Sequence, residues 1–198
     1  MPRLSPQNKE HHTAVMRERI CSTFAEMFAS DGDVSMEHLA ERLGVAKGTI
    51  YNYFRDKSEL TSAVMEIRRK NMVELMERTI LPELPAEEQL AVFVRIMIDD
   101  FNLYRHLRME YLRYNPLAPV PSRPRPLDIL EQIMERSIAS GEFRKNDPAE
   151  AALFIFCSLI GKFRHLLRNN QAADPEYEFR TMMNFLIPAL RSNAGTEH

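Results

Sequence analysis

The sequence predicts an all-helical fold of about nine helices, and three observations carry that prediction. Apolar residues recur at spacings of three and four along most of the chain, and no period-two strand pattern runs for more than a few residues. Helix formers dominate, and glycine is scarce, with six among 198 residues. Capping signals, such as Asp56 with Glu59 and Asp147 with Glu150, mark helix starts. A chain of this length can form one or two small domains with a proper core.

The elements follow in order. Residues 1–10 read as a disordered arm, and a helix from about Thr13 to Ser30 carries Val15, Ile20, Phe24, Met27 and Phe28 as its apolar residues. Arg17 and Arg19 near its start either touch phosphates or sit as solvated charges, the default for isolated arginines. Ser35 is placed to cap the next helix, with Val34 and Leu39 at the two positions of a hydrophobic staple. Ala40 is small enough for a second helix to cross there, and Gly44 supplies the left-handed residue that a tight exit needs.

Val45, Ile50 and Phe54 then share one side of a short helix, and Leu39 and Leu43 are available to pack on them. Gly48 and Asn52 point opposite Ile50, Thr49 and Tyr51 flank them, and Lys47 and Tyr53 lie nearer the edges. Gly48 lets the backbone come close to whatever the helix docks on. This is the pattern of a helix-turn-helix that reads DNA.

Asp56 and Glu59 open a helix that runs to about Leu81, where Pro82 and Pro85 stop it. A helix over about 86–107 and a shorter one through Tyr114 follow. Five prolines between Pro116 and Pro126 then require an extended surface loop. A helix over about 127–141 ends at Gly141. The next begins at Asp147 and Pro148, is apolar nearly all round from Ala151 to Ile160, and so reads as buried on several sides. Gly161 would permit close approach of a neighbouring helix. The last helix starts at Asp174 and Pro175. Phe179, Met182, Met183, Leu186, Ile187 and Leu190 form its stripe, and Pro188 bends its final turn. Residues 192–198 read as a tail.

Composition sets bounds on function. The net charge of −2 argues against a protein coated for nucleic acid, and basic and acidic residues nearly balance within residues 1–70. DNA binding must therefore rest on local groups. There is no apolar stretch of membrane-spanning length and no apolar leader in MPRLSPQNKEHH. Cys21 and Cys157 are far apart, which fits a reducing cytoplasm and buried structural thiols; a redox-sensing role for either is the alternative. His11, His12 and His106 lack partners at metal-ligand spacing, so no metal and no other cofactor is expected. No G-x-S-x-G, H-E-x-x-H, phosphate loop or paired-acid motif points to an enzyme.

Gly44-Val45, Lys47-Gly48-Thr49-Ile50-Tyr51, Tyr53-Phe54, Lys57 and Glu59-Leu60 stand at a spacing that resembles the TetR family of bacterial transcriptional regulators, without a gap from Ser35 to Lys57. GEFRKNDPAEAA resembles the family's C-terminal domains. Many members carry Ser where this chain has Ala46, so the recognition helix loses a cap that contributes about 0.5–2 kcal/mol. The resemblance implies a DNA-binding domain over 11–56, a connecting helix over 57–81, and an effector-binding and dimerisation domain over 82–191. It implies DNA contacts from Lys47, Thr49, Tyr51 and Tyr53. Ser35 and Lys57, at helix N-termini, suit phosphate; Gly48 and Asn52 face the groove on geometry alone. For Tyr51 and Tyr53 the alternative is packing against the partner helices.

The resemblance further implies a homodimer on a palindromic operator, paired through the last two helices. Ile155, Ser158, Lys162, Met182, Met183, Leu186 and Leu190 are the expected interface, and completion of an internal core is the alternative. A small-molecule effector would lie among helices of residues 86–170. Its candidate lining is Phe93, Met97, Phe101, Tyr104, Met109, Ile133, Phe154, Cys157 and Phe163, which leans to a hydrophobic or aromatic ligand. Arg105, Arg108 and His165 are candidates for an anionic headgroup, with solvent exposure as the default. The function expected is a repressor released from its operator by that ligand. The alternative is a ligand-independent or activating DNA-binding protein of the same fold, which a filled C-terminal core would favour.

Overall fold

A computed structural model describes residues 6–114 and 124–191. Among them are eight helices: α1 Pro6–Asp31, α2 Met36–Leu43, α3 Lys47–Tyr51, α4 Lys57–Thr79, α5 Ala86–Tyr114, α6 Arg125–Ala139, α7 Pro148–Arg168 and α8 Pro175–Leu190. A single isolated bridge, Phe143 with Arg191, is the β pairing among the described residues. No helix among the described residues is long and apolar enough to cross a membrane.

Three boundaries differ from expectation. Helix α1 begins at Pro6, inside the segment read as disordered; residues 1–5 lie outside the described residues. The helices expected over 86–107 and on to Tyr114 are one, because nothing between Leu107 and Tyr114 breaks a helix. The proline-rich loop falls mostly outside the described residues. Its last residues, Arg125 and Pro126, already form the first turn of α6, where a proline sacrifices no hydrogen bond. The tail over 192–198 also lies outside.

The chain divides into two compact units, Met1–Arg69 with His106–Ala118, and Lys70–Arg105 with Pro119–His198. One division falls at Arg69, within α4, and the end of α5 belongs to the first unit.

In the first unit, Ile20, Phe24 and Phe28 of α1 are buried with Val34, Leu39, Ile50, Phe54 and Leu60. The rings of Phe24 and Phe28 lie 5.2 Å apart at a tilt of 52°. Gly32, at φ +74°, reverses the chain after α1. A side chain there would begin 3.9 Å from the His106 ring, so α5's end comes close to this turn.

The second unit is built around Leu90, Phe93, Val94, Ile98 and Phe101 of α5, Leu130, Ile133 and Met134 of α6, and Ile155, Leu159 and Phe163 of α7. Phe101 and Phe163 stack at 4.6 Å, with their planes 8° apart. Asp147 and Asp174 cap α7 and α8 by accepting from Glu150 N at 3.0 Å and Tyr177 N at 2.9 Å, and each is followed by a proline in the first turn. The Asn102 amide grips the turn before α8, donating to Ala173 O at 2.8 Å and accepting from Ala173 N at 2.9 Å.

Candidate nucleic-acid interface

Helix α2 is fixed at both ends. Ser35 Oγ accepts from His38 N at 3.1 Å. Gly44, at φ +68°, closes the C-terminus with its N–H on the carbonyls of Ala40 and Glu41. Met36, Leu39, Ala40 and Leu43 are its buried side, and Val34 and Leu39 are both fully buried, as a staple requires.

Helix α3 is held differently. Ala46 provides no side-chain cap, so its N-terminal amides lack the partner that a serine would give. The helix is five residues long and contributes Ile50 to the core, and Phe54 just beyond it is equally buried. Lys47, Gly48, Tyr51 and Asn52 are exposed on the other side, and Thr49 and Tyr53 are half-buried at its margins. A Cβ on Gly48 would meet nothing within 4 Å, so the helix backbone is open to close approach there.

Lys47 is held near this face. Its ammonium pairs with Glu37 of α2 and lies 5.6 Å from the Tyr51 ring centroid. The hydrogen bond to Glu37 raises the lysine pKa and lowers that of the carboxylate. Both groups are exposed, so the pair is weak.

The start of α4 is secured by Asp56, which accepts from Glu59 N at 2.8 Å. The Glu59 carboxylate accepts in return from Arg55 N at 2.9 Å, one residue earlier than a regular capping box. Lys57 is held by two carboxylates. Its ammonium lies 2.7 Å from Asp33 Oδ1, 2.9 Å from Glu110 Oε1 of α5, and 5.4 Å from the Phe28 ring. Burial would lower its pKa, but the two carboxylates outweigh that and raise it. The lysine was expected at a phosphate because it opens a helix. The carboxylate of Glu110, far away in sequence, is what turns it inward.

Arg17 is half-buried against other elements, whereas Arg19 is exposed, as the solvated alternative expects. Arg17 Nη1 donates to the Tyr53 carbonyl, and its guanidinium sits 4.2 Å from the Phe54 ring centroid. Arg19 Nη2 approaches the Leu43 carbonyl at 3.5 Å, a long contact. Nothing in the spacing of α1 signalled these, since each partner carbonyl belongs to a distant helix end.

Residues 25–64, which span α2, α3 and the start of α4, match the family model described as bacterial regulatory proteins, tetR family. Over these residues the chain is similar to the TetR family. Its relatives are transcriptional regulators. It is 25% identical over 157 residues to the HTH-type transcriptional regulator SrpR of Pseudomonas putida, covering 73% of this chain and 71% of that one. It is 24% identical over 188 residues to the fatty acid metabolism regulator protein of Bacillus subtilis, covering 88% and 95%. A solved TetR-family regulator from Mesorhizobium loti superposes with a TM-score of 0.71 at 20% identity, covering 91% and 98%. That likeness shows the TetR fold.

The other expected sites fare unevenly. Phe93, Met97, Phe101, Ile133 and Phe163 meet in one buried cluster of the second unit, and Tyr104 is half-buried. Three expected lining residues do not join them. Phe154 is 80% exposed and Cys157 is exposed, because both lie on the outward side of α7. Met109 is exposed and belongs to the first unit. Cys21 is buried, and burial pushes its thiol pKa up to about 11. Arg108, a candidate for an anionic headgroup with exposure as the default, is half-buried, and burial lowers its pKa to about 10.

Of the expected interface residues, Ile155 and Leu190 are buried in their own core, and Met182, Met183 and Leu186 pack partly against it. Lys162 pairs with the buried Glu178 at 3.1 Å, and Ser158 is exposed. The outward apolar residues are instead Leu153 and Phe154 of α7 and Phe185 of α8, the last 81% exposed. The helix read as buried on several sides thus has an uncovered side. Gly161 is exposed too, and a Cβ added there would meet nothing within 4 Å. Phe185 was missed because the inward stripe of α8 drew the reading; the lone phenylalanine on its opposite face was the available signal.

Proposed function

We propose that this TetR-family regulator is a sequence-specific DNA-binding repressor acting as a homodimer in the cytoplasm. The observation that carries this is the two-sidedness of α3: Ile50 and Phe54 are buried while Lys47, Gly48, Tyr51 and Asn52 are exposed together. Such a face suits a major groove. Thr49 offers a hydroxyl and a methyl to a base edge, and Asn52 can pair with adenine. Lys47 and the hydroxyls of Tyr51, Tyr53 and Ser35 suit phosphates, which set register more than sequence. Lys57 is left out, because it already serves two carboxylates.

One copy with this near-neutral charge would bind weakly, so two copies are needed. Leu153, Phe154 and Phe185 supply an apolar face for the pairing, in place of Ile155 and Leu190. Two recognition helices would then sit roughly 34–36 Å apart, or a multiple of that, on a palindromic operator.

The proposed effector is a small hydrophobic or aromatic molecule entering the cluster of Phe93, Met97, Phe101, Ile133 and Phe163. Phe101 and Phe163 stack on each other, so the ligand must part them. It regulates only through different affinity for the DNA-competent and released states. A solved regulator of similar fold from Bacillus subtilis is in complex with stearoyl-CoA, which supports a hydrophobic ligand.

Selection of bound DNA from a random pool tests the reading. The expected result is a palindrome with two half-sites about one helical turn apart, bound by a dimer. Recovery of no sequence preference contradicts it.

A further inference from the structure

Helix α3 is too short to hold its own orientation, and its first turn has no side-chain cap. Its last carbonyls are used internally: Gly48 O and Thr49 O accept from Asn52 N at 3.2 Å, and Ile50 O accepts from Tyr53 N at 2.9 Å and Phe54 N at 3.0 Å. The Tyr53 carbonyl lies one step beyond that ladder, and a residue of α1 takes it. Arg17 donates to it and lays its guanidinium over the next side chain, Phe54. One planar cation thus grips both residues that follow the C-cap Asn52. A cation is favoured there, because the negative end of the α3 dipole points at it.

We propose that Arg17 is a positioning residue for sequence recognition: its guanidinium fixes how α3 sits on α1, and so where Lys47, Thr49 and Asn52 aim, without touching DNA itself. This rests on the reading of α3 as the recognition helix. The chemistry favours arginine. Its planar fork donates to the Tyr53 carbonyl and lies flat on the Phe54 ring together, whereas a lysine is a point charge with no flat face and would hold both less firmly. An arginine recruited to phosphate instead would leave the Tyr53 carbonyl without this donor.

The test uses the full chain and an operator recovered by selection. If the wild type selects no operator, the DNA-binding reading fails and Arg17 is not at issue. If it does, Arg17→Lys and Arg17→Met are compared with it for folding, for affinity to operator and to random DNA, and for salt dependence. Arg17→Lys is expected to stay folded and to lower the operator-to-random affinity ratio roughly tenfold, as loss of a charge-assisted hydrogen bond would. Binding to random DNA should hold, and Arg17→Met should keep the wild-type salt slope. A direct phosphate contact gives the reverse: lysine preserves the ratio, and methionine lowers the slope by about 0.9. Either of those results overturns the proposal. Phe54→Leu adds a check that leaves the cation in place. It should lower the ratio in the same way, and combining it with Arg17→Lys should add little further loss; full additivity also overturns the proposal.

Discussion

The outward side of α3 carries a lysine, a glycine, an asparagine and one tyrosine, whereas the outward side of α7 and α8 carries Leu153, Phe154 and Phe185. Both helices α3 and α7 bury their other side in a hydrophobic core. The difference lies in what each exposed side can bind. Polar side chains with a glycine among them can give up water for phosphates and base edges at little loss. Exposed phenylalanines gain chiefly by meeting another apolar surface. On the proposed reading, one helix face suits a charged partner and the other an apolar one.

The sharpest way to break this comparison is to substitute neighbours on α7. Ile155→Ala should destabilise the fold by about 2–5 kcal/mol, since it empties a buried site. Phe154→Ala should leave thermal stability of the monomer within about 0.5 kcal/mol, as surface changes usually do. Phe154→Ala with Phe185→Ala should weaken self-association at least roughly thirtyfold, each ring acting as an anchor. Thermal unfolding and sedimentation separate the two effects. A stable dimer in the double variant would remove the apolar face from the account.

A smaller effect is expected at Gly44→Ala. The residue sits at φ +68° with open space around it, so the strain is in the backbone alone and amounts to roughly 1–2 kcal/mol. A midpoint of thermal unfolding equal to that of the wild type would show that α2 ends some other way.

Smallest is the pH dependence at Asp33 and Lys57. The Lys57 ammonium beside Asp33 holds that carboxyl below its usual range. A lowered folded pKa contributes stability that is present above the ordinary aspartate value, about 3.9, and is lost as pH falls through the folded one. Lys57, raised by its two carboxylates, contributes stability below the ordinary lysine value, about 10.4, which fades as pH rises through the folded one. Asp33 is exposed, so the acid effect is small, and Asp33→Asn should flatten it in urea unfolding between about pH 5 and 3. An acid limb unchanged by that substitution would place the loss elsewhere.

Much of the helix-turn-helix was legible because it is local. Ser35, Gly44, Ile50 and Phe54 are read from neighbours within a few residues, and a cap or an inward face needs nothing further. The pairing of Lys57 was not legible because its partners Asp33 and Glu110 come from other elements. Arg17 was left undecided for the same reason. In α7 and α8, periodicity identified an apolar stripe but not which side the core would take. Ile155 and Leu190 went inward, and Phe154 and Phe185 stayed out, because side chains of α5 and α6 occupy one side only.

The central claim is that the exposed side of α3 reads DNA. Gel-shift titration of the selected operator with Lys47→Ala combined with Tyr51→Phe tests it most directly, with folding and dimerisation checked in parallel. The account predicts operator binding weakened at least roughly tenfold, as loss of two phosphate partners would give, in a protein that is still folded and dimeric. Unchanged operator affinity would contradict it.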